Sequence, residues 1–112
     1  TIEKTYLVRV QGHPAWQEHR CEAPISADPD VAGSRAIDEA EGLPSRTDFT
    51  VLHQFDDGTA LLEAALFTGR TNQIRVHLWH LGHPVCGDAT YLPGGKVAAT
   101  QTLDCADEPL KL

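Results

Sequence analysis

The stretch from Leu66 to Tyr91 gathers basic, amide and hydroxyl side chains at a spacing that could bind an anion. An apolar run ends at Gly69-Arg70, and the residues from Thr71 to Leu81 then follow the period of a helix. Free backbone N–H groups at a helix start favour a negatively charged ligand, and Arg70 adds a formal charge there. Arg75 lies one turn further on, inside the helix, where it needs a carboxylate, a phosphate or water as partner.

A metal site is the alternative chemistry for the same stretch. Three histidines and a cysteine recur at intervals of three residues, and such side chains can bind zinc. They are His77, His80, His83 and Cys86. A glycine and a proline break the helix between the second and third of them, so the four side chains would not converge simply. We therefore predict no metal.

Four segments have the alternation and β-branched content of strands. They are Lys4–Val10, a weaker Trp16–Ile25, Thr47–Leu52 and Ala60–Phe67. The last two flank the turn signal Asp56-Asp57-Gly58, which predicts a hairpin. In the weaker segment, Cys21 and Ile25 are expected to face the core.

One helix follows the strands. Ile74, Leu78 and Leu81 fall on one helical face. Thr71 is the predicted N-cap, and Gly82 is predicted to end the helix as its C′ residue. The resulting fold class is α+β, with a mostly antiparallel mixed β-sheet and a helix after the T-G-R-T-N-Q-I-R-V-H segment.

Two longer connections complete the chain. The residues from Asp28 to Leu43 are rich in Ala, Asp, Glu and Gly, which favours an exposed loop with room for a short helix around Arg35–Ala40. Gly87–Gly95 is predicted as a loop. The final residues, Pro109–Leu112, have the character of a strand start.

The composition is that of one globular domain. The chain has 112 residues, of which 41% are hydrophobic and 22% charged, so global disorder is excluded and one core is expected. The formal net charge is −7, which excludes a basic footprint over the whole domain and leaves only a local patch for nucleic acid. No apolar run is long enough to span a bilayer, and no secretory signal pattern is visible.

Cysteine usage and the first residue add two expectations. The 3 cysteines form an odd, widely spaced set without a C-x-x-C pair, which favours a reducing compartment and predicts a cytoplasmic protein. The chain contains no methionine and begins at Thr1. We therefore expect it to be processed, or to be a piece of a longer protein.

The segment T-G-R-T-N-Q-I-R-V-H-L, followed by L-G-H-P-V-C-G-D-x-x-Y, closely resembles the signature of the RluA family of RNA pseudouridine synthases. Lys4-Thr5-Tyr6 resembles the K-x-Y motif of that family, which lies on a strand. The resemblance covers most of the chain, roughly from Lys4 to Tyr91. Many fixed positions at fixed spacing make the long motif specific, whereas K-x-Y alone would carry no weight.

The resemblance implies isomerisation of uridine to pseudouridine in rRNA or tRNA, without cofactor or metal. Tyr6 matches the tyrosine that stacks on the target base and takes part in proton transfer. Arg75 matches the basic residue that pairs with the catalytic aspartate, and Leu81 is the candidate for the apolar residue under the base. The remaining predicted substrate-binding residues surround the helix start, and they are Arg70, Thr71, Asn72 and Gln73.

One part of the family pattern is not found in these residues. The family's catalytic aspartate belongs to G-R-L-D-x-x-T-S-G, which precedes the K-x-Y strand, and no such segment occurs here. Asp48 follows an arginine but matches the hairpin strand, and Asp88 is predicted to cap a turn. We therefore expect residues 1–112 to be a partial catalytic domain, incomplete and inactive alone. The alternative is a non-catalytic RNA-binding remnant. Asn72 stands where the family most often has His.

Overall fold

The computed structural model describes residues 1–29 and 33–97, and the structural statements below concern those residues. They form six strands and one α-helix. In chain order these are β1 Lys4–Gln11, β2 Glu18–Cys21, β3 Thr47–Gln54, β4 Thr59–Leu66, α1 Gln73–His80, β5 Tyr91–Leu92 and β6 Lys96–Val97. The predicted α+β class is confirmed. The strand-like segment Pro109–Leu112 lies outside the described residues.

Strands β1 to β4 form one sheet in the order β1-β4-β3-β2, and every described pair is antiparallel. The predicted hairpin is the β3–β4 pair, which turns at Gly58 with φ of 86°. A register shift between Val51 and His53 marks a bulge near the turn. The second strand is shorter than predicted, because only Glu18–Cys21 pairs with β3.

The core lies between one face of this sheet and α1. Strand residues alternate between the two faces, so that Val8, Phe49 and Leu62 are buried against the helix. Residues of opposite parity lie on the outer face of the sheet, where Leu7 and Leu52 are 62% and 49% exposed. The helix therefore covers one side of the sheet only.

Helix α1 is buried on two sides. Ile74 and Leu78 pack into the sheet core, which confirms the predicted apolar face. Val76 points to a second cluster, where it packs with Ile25 and Tyr91. That second contact was not visible in the helical period, because its partners come from before β3 and after the helix. Ile25 and Cys21 are both buried, as predicted.

The two ends of α1 differ in how well the sequence predicts them. The N-cap is Asn72 rather than the predicted Thr71, and its φ of 58° places it in the left-handed region. The C-terminal end is as predicted, since Gly82 has φ of 86°. There the N–H of His83 donates to Leu78 O, and that of Gly82 donates to Trp79 O, which is the Schellman arrangement.

Two predicted connections contain more pairing than expected. No helix forms at Arg35–Ala40, because Ile25 bridges to both Ile37 and Leu43 and holds the backbone in extended segments. The predicted loop Gly87–Gly95 contains β5, which pairs with β6. The indole N–H of Trp79 donates to Lys96 O at 3.0 Å and so attaches this small hairpin to α1. No helix within the described residues is long and apolar enough to cross a membrane.

Candidate active site

A pocket of about 230 Å³ opens between β1 and the start of α1. It is lined by Tyr6, Leu66, Arg70, Asn72, Gln73, Ile74 and Arg75. The structure thus brings five predicted site residues to one place, although Tyr6 comes from the first strand and the others from the helix start. Antiparallel pairing of β1 with β4 accounts for this, since Lys4 lies opposite Leu66, which precedes the Thr68-Gly69-Arg70 turn by two residues.

Two predicted site residues do not line this pocket. Thr71 is exposed at the turn before the helix. Leu81 is the C-cap of α1, about 12 Å along the axis from Gln73 at 1.5 Å per residue. The apolar surface of the pocket comes instead from Leu66 and Ile74. The pocket therefore does not support Leu81 as the residue under a bound base.

Tyr6 reaches the pocket because even-numbered residues of β1 face the helix side of the sheet, as buried Val8 and Val10 do. It lies opposite Ala64 of β4, whose small side chain leaves room for the ring. Tyr6 is half-buried and packs on the sheet core. Its hydroxyl has no hydrogen-bond partner among the described residues, so both ring and hydroxyl are available to a ligand.

Arg75 is held by Asp88 rather than left at the surface. Its Nε donates to Asp88 Oδ2 at 2.8 Å and its Nη2 to Asp88 Oδ1 at 2.9 Å. Its Nη1 donates to Asn72 Oδ1 at 3.2 Å, and the guanidinium carbon lies 5.0 Å from the centre of the Tyr91 ring. Burial would lower the pKa of Arg75, but the hydrogen bonds and charge of Asp88 outweigh it and the pKa is raised.

Asp88 caps a turn, as predicted, and it also binds Arg75. Its Oδ1 accepts hydrogen bonds from the backbone N–H groups of Thr90 and Tyr91 at 2.9 and 3.1 Å. Its side chain is 0% exposed, and that of Arg75 is 19% exposed. A buried carboxylate of this kind needs its charge and lone pairs satisfied, and Arg75 with the two backbone groups does so.

Asn72 connects this ion pair to the second cluster. Its Nδ2 donates to the Tyr91 hydroxyl oxygen at 3.0 Å, and that oxygen also accepts the backbone N–H of Arg35 at 2.8 Å. We call Asn72, Arg75, Asp88 and Tyr91 the pocket network. Sequence reasoning missed Tyr91 as a member, although it ends the G-D-x-x-Y segment.

Gln73 was predicted to bind substrate, but its amide is fully used inside the protein. Its Oε1 accepts from Thr68 Oγ1 at 2.6 Å and from the N–H of Arg70 at 3.1 Å. Its Nε2 donates to Arg46 O at 2.9 Å and to Thr47 Oγ1 at 2.8 Å. An amide makes about four such bonds, so Gln73 positions the turn before the helix and has none left for RNA.

The same bonds continue to a buried histidine. Thr47 Oγ1 lies 2.9 Å from His77 Nδ1, and His77 Nε2 lies 2.9 Å from Ala23 O. Because a carbonyl only accepts, Nε2 carries the proton and Nδ1 accepts from Thr47. Burial, ahead of the smaller charge effect of His80, lowers the pKa of His77. We call Thr47, Thr68, Gln73 and His77 the core network.

These bonds also bear on the metal alternative. Both nitrogens of His77 have protein partners, and His83 Nδ1 lies 3.0 Å from Gln11 O. Within the described part of the chain, no group of three or more histidine, cysteine and acidic residues is placed to hold a metal ion. The His77, His80, His83 and Cys86 series therefore does not come together.

Two further arginines lie at this end of the sheet. Arg70 Nε donates to Pro44 O at 2.8 Å, which holds the side chain at the pocket rim. Arg46 binds Asp48 through Nε and Nη2 at 3.1 and 3.0 Å, on the outer face of the sheet. The hydrogen bonds of Arg46 lower the pKa of Asp48. Asp48 lies on the hairpin strand β3, as predicted, and it does not line the pocket.

The sequence model of a family described as RNA pseudouridylate synthase matches residues 1–80 of this chain. The dual-specificity RNA pseudouridine synthase RluA of Yersinia pestis is 33% identical over 100 residues. The chain belongs to the RluA family of RNA pseudouridine synthases. The Yersinia alignment covers 88% of the chain and 48% of the relative.

Other relatives give the same picture. RluA of Escherichia coli K12 is 35% identical over 89 residues, which are 80% of this chain and 41% of the relative. The ribosomal large subunit pseudouridine synthase C of Yersinia pestis is 39% identical over 94 residues, or 81% and 28% of the two chains. The chain thus spans less than half the length of these relatives.

Solved structures agree on the fold. The human RNA pseudouridylate synthase domain containing 1 superposes with a TM-score of 0.69 at 33% identity, over 80% of this chain and 40% of the human one. The human domain containing 4 superposes with a TM-score of 0.65 at 24% identity, over 91% and 42% of the two chains. The second comparison shows the fold alone. Both superpositions cover most of this chain and less than half of the human chain.

Proposed function

We propose that these residues form the tyrosine- and arginine-bearing part of an active site that converts uridine to pseudouridine in RNA. The supporting observation is the shared pocket of Tyr6 and Arg75, two residues far apart in sequence that match two separate family motifs. Residues 1–112 are accordingly part of a catalytic domain. In the reaction the bond between the ribose and the base nitrogen breaks, the base turns, and a bond to a base carbon forms. That carbon loses its proton to solvent, and the freed nitrogen gains one, so the product is an isomer of the substrate.

The pocket has the size and lining for one pyrimidine. Its volume of about 230 Å³ lies below the roughly 300–1,000 Å³ of sites for drug-sized ligands. The Tyr6 ring offers a stacking surface for the base, while Leu66 and Ile74 supply apolar contacts. A uridine in a structured RNA must leave its stack to enter such a pocket, as in other enzymes that act on bases.

The phosphate contacts would come from the helix start. Arg70 lies at the pocket rim. Of its guanidinium nitrogens only Nε binds a described residue, so the terminal N–H groups remain for a phosphate oxygen. Arg70 and Arg75 thus provide local positive charge at the pocket, in a chain whose formal net charge is −7. Tight binding needs many neutralised phosphates, so we expect these residues alone to bind RNA weakly.

The catalytic acid is the component to be supplied. No G-R-L-D-x-x-T-S-G segment occurs in the 112 residues. Among the described residues the carboxylate bound to Arg75 is that of Asp88, and its oxygens are already hydrogen-bonded inside the protein. We propose that residues 1–112 alone do not isomerise uridine. An aspartate from a segment preceding β1 would complete the site beside Tyr6 and Arg75.

Tritium release from RNA carrying 5-³H-uridine tests both statements. The 112-residue chain should release no tritium above background, and the product of the complete reading frame that contains it should release tritium from total tRNA or rRNA. Tyr6→Ala in the longer protein should abolish release. Release by the 112 residues alone would overturn the need for a further aspartate. Absence of release by the longer protein on both RNA pools would overturn the activity.

A non-catalytic RNA-binding remnant is the second candidate, and the Arg70 and Arg75 cluster at a helix start favours it. The remnant hypothesis predicts that the 112 residues bind unstructured RNA. Because that binding would depend on phosphate contacts, the affinity should fall steeply between roughly 50 and 200 mM salt. Binding that is unchanged by salt would contradict it. Tritium release by the longer protein would favour the enzyme.

The target and the compartment are narrower proposals. The curated relatives carry the words dual-specificity RNA and ribosomal large subunit in their names, so we propose rRNA or tRNA as the substrate class. We also propose a cytoplasmic location, on the grounds of the cysteine usage: Cys21 and Cys86 are free thiols among the described residues. Fractionation of the cells that express the protein would test this.

A further inference from the structure

The Asp88 carboxylate accepts its hydrogen bonds from Arg75 and from the turn that follows α1. Oδ2 accepts from Arg75 Nε, and Oδ1 accepts from Arg75 Nη2 and from two backbone N–H groups. The side chain is 0% exposed and does not line the pocket. Asp88 therefore cannot contact a bound base or act as the missing acid. What it controls is the place of the guanidinium.

Arg75 is left with two donors that no described residue occupies. A guanidinium carries five N–H groups. Three of them bind Asp88 and Asn72, which leaves one on Nη1 and one on Nη2. Because Arg75 lines the pocket, these two N–H groups are the ones able to meet an acceptor that enters it.

The geometry points to Asp88 as a positioning residue for the uridine isomerisation, acting through Arg75. The two hydrogen bonds to Asp88 fix the plane of the guanidinium. Nη1 is held by Asn72 Oδ1, and the Asn72 amide is held in turn by the Tyr91 hydroxyl. The two remaining N–H groups are thereby presented to a planar acceptor such as a carboxylate. This inference rests on the proposed function, because it assigns Arg75 a part in the reaction.

A second arginine–aspartate pair supplies the matched control. Arg46 binds Asp48 with the same two-point geometry, on the outer face of the sheet and outside the pocket. Asp48→Asn and Asp88→Asn make the same chemical change. Only the second removes the carboxylate that holds a pocket arginine, so an effect of charge alone would appear in both variants.

The test is a double-mutant cycle in the protein from the complete reading frame, read by tritium release from 5-³H-uridine RNA. Asp88→Asn should lower kcat about 100-fold, the scale of a misplaced group in an active site, while KM changes little. Arg75→Ala should lower kcat at least as much. The double variant should be no slower than Arg75→Ala, since Asp88 acts through Arg75. Asp48→Asn should keep the parent rate.

Three results decide the inference. Effects that multiply in the double variant, or a parent-like rate for Asp88→Asn, would overturn it. If Asp88→Asn folds poorly by circular dichroism, Tyr91→Phe replaces it. That variant removes the hydroxyl that accepts hydrogen bonds from Asn72 Nδ2 and from the Arg35 N–H. It should lower kcat in the protein that retains Arg75 but not in the Arg75→Ala protein. An equal loss in both backgrounds would overturn the positioning role.

A measurement on the 112-residue chain separates this inference from the proposed function. The Nε–H of Arg75 should give a slowly exchanging NMR signal, and its exchange should accelerate at least tenfold in Asp88→Asn and not in Asp48→Asn. If the longer protein releases no tritium while this signal behaves as expected, the proposed function fails and the positioning of Arg75 stands. An unchanged signal in Asp88→Asn would overturn the positioning whatever the activity.

Discussion

The pocket network and the core network lie on two sides of the same helix, yet they differ in what they leave open. In the core network each donor has an acceptor in the protein, from the Thr68 hydroxyl through the Gln73 amide to His77 and Ala23 O. In the pocket network Arg75 keeps two N–H groups without a described partner. A closed network can only position its neighbours, whereas an open one can also bind.

The two networks also differ in charge. The core network is neutral, and burial lowers the pKa of His77 and so favours its uncharged form. The pocket network contains a formal ion pair whose acid is 0% exposed. Neutral hydrogen bonds add modest net stability, while an uncompensated buried charge is costly. We therefore expect the loss of a side chain from the pocket network to lower the free energy of unfolding more than the loss of one from the core network.

The largest effect should follow Asp88→Ala. The change leaves the half-buried Arg75 charge without its carboxylate and frees two backbone N–H groups, so the free energy of unfolding should fall by about 4 kcal/mol. Urea denaturation followed by circular dichroism measures it. Asp48→Ala is the control and should leave the urea midpoint within error, because that pair is a third exposed at the surface. Equal losses would remove the contrast between the two pairs.

Gln73→Leu should come next. Leucine fills a similar volume but leaves Thr47, Thr68 and the N–H of Arg70 without their amide partner. We expect the free energy of unfolding to fall by about 2 kcal/mol. Gln54→Leu is a control, since Gln54 is an exposed glutamine whose side chain donates only to Pro14 O. A Gln73→Leu protein as stable as the parent would show that the core network adds no stability.

Asn72 has two roles, because its backbone starts the helix and its side-chain amide belongs to the pocket network. Its φ of 58° is one that glycine adopts freely and alanine does not. Asn72→Ala should therefore be less stable than Asn72→Gly by about 1 kcal/mol, although both lose the same amide. Thermal unfolding compares them directly. If alanine is the more stable of the two, the left-handed N-cap is wrong.

Spacing within the sequence predicted what is local and missed contacts between distant segments. The β3–β4 hairpin and the Gly82 helix end follow from turn and cap chemistry within a few residues, and both were correct. Thr71 was preferred as N-cap by propensity, although the neighbouring Asn72 tolerates positive φ better. The local signal was present there, and it was read one residue too early.

The roles of Gln73 and Asp88 could not be read from spacing. Gln73 meets Thr47 on a strand 26 residues earlier, and Asp88 meets Arg75 across the end of the helix, 13 residues away. A substrate role for Gln73 was a fair interpretation of an amide at a helix start, but long-range packing uses every bond that it can make. Leu81 was carried over from family resemblance, and the length of α1 separates it from the pocket.

The smallest expected effect concerns pH and tests the neutral character of the core network. Burial lowers the pKa of His77 in the folded protein below the ordinary value of about 6.5 that it has when unfolded. As pH falls through about 6.5, His77 is protonated in the unfolded chain but not in the folded protein. The contribution of His77 to stability is therefore fully present above about 6.5 and is lost between that pH and the lower pKa of the folded protein. His77→Gln should flatten this acid slope in urea titrations, whereas His53→Gln, a change at an exposed strand position, should retain it. A slope unchanged by His77→Gln would mean that the acid sensitivity comes from carboxylates, and the two networks would then differ in openness but not in their response to protons.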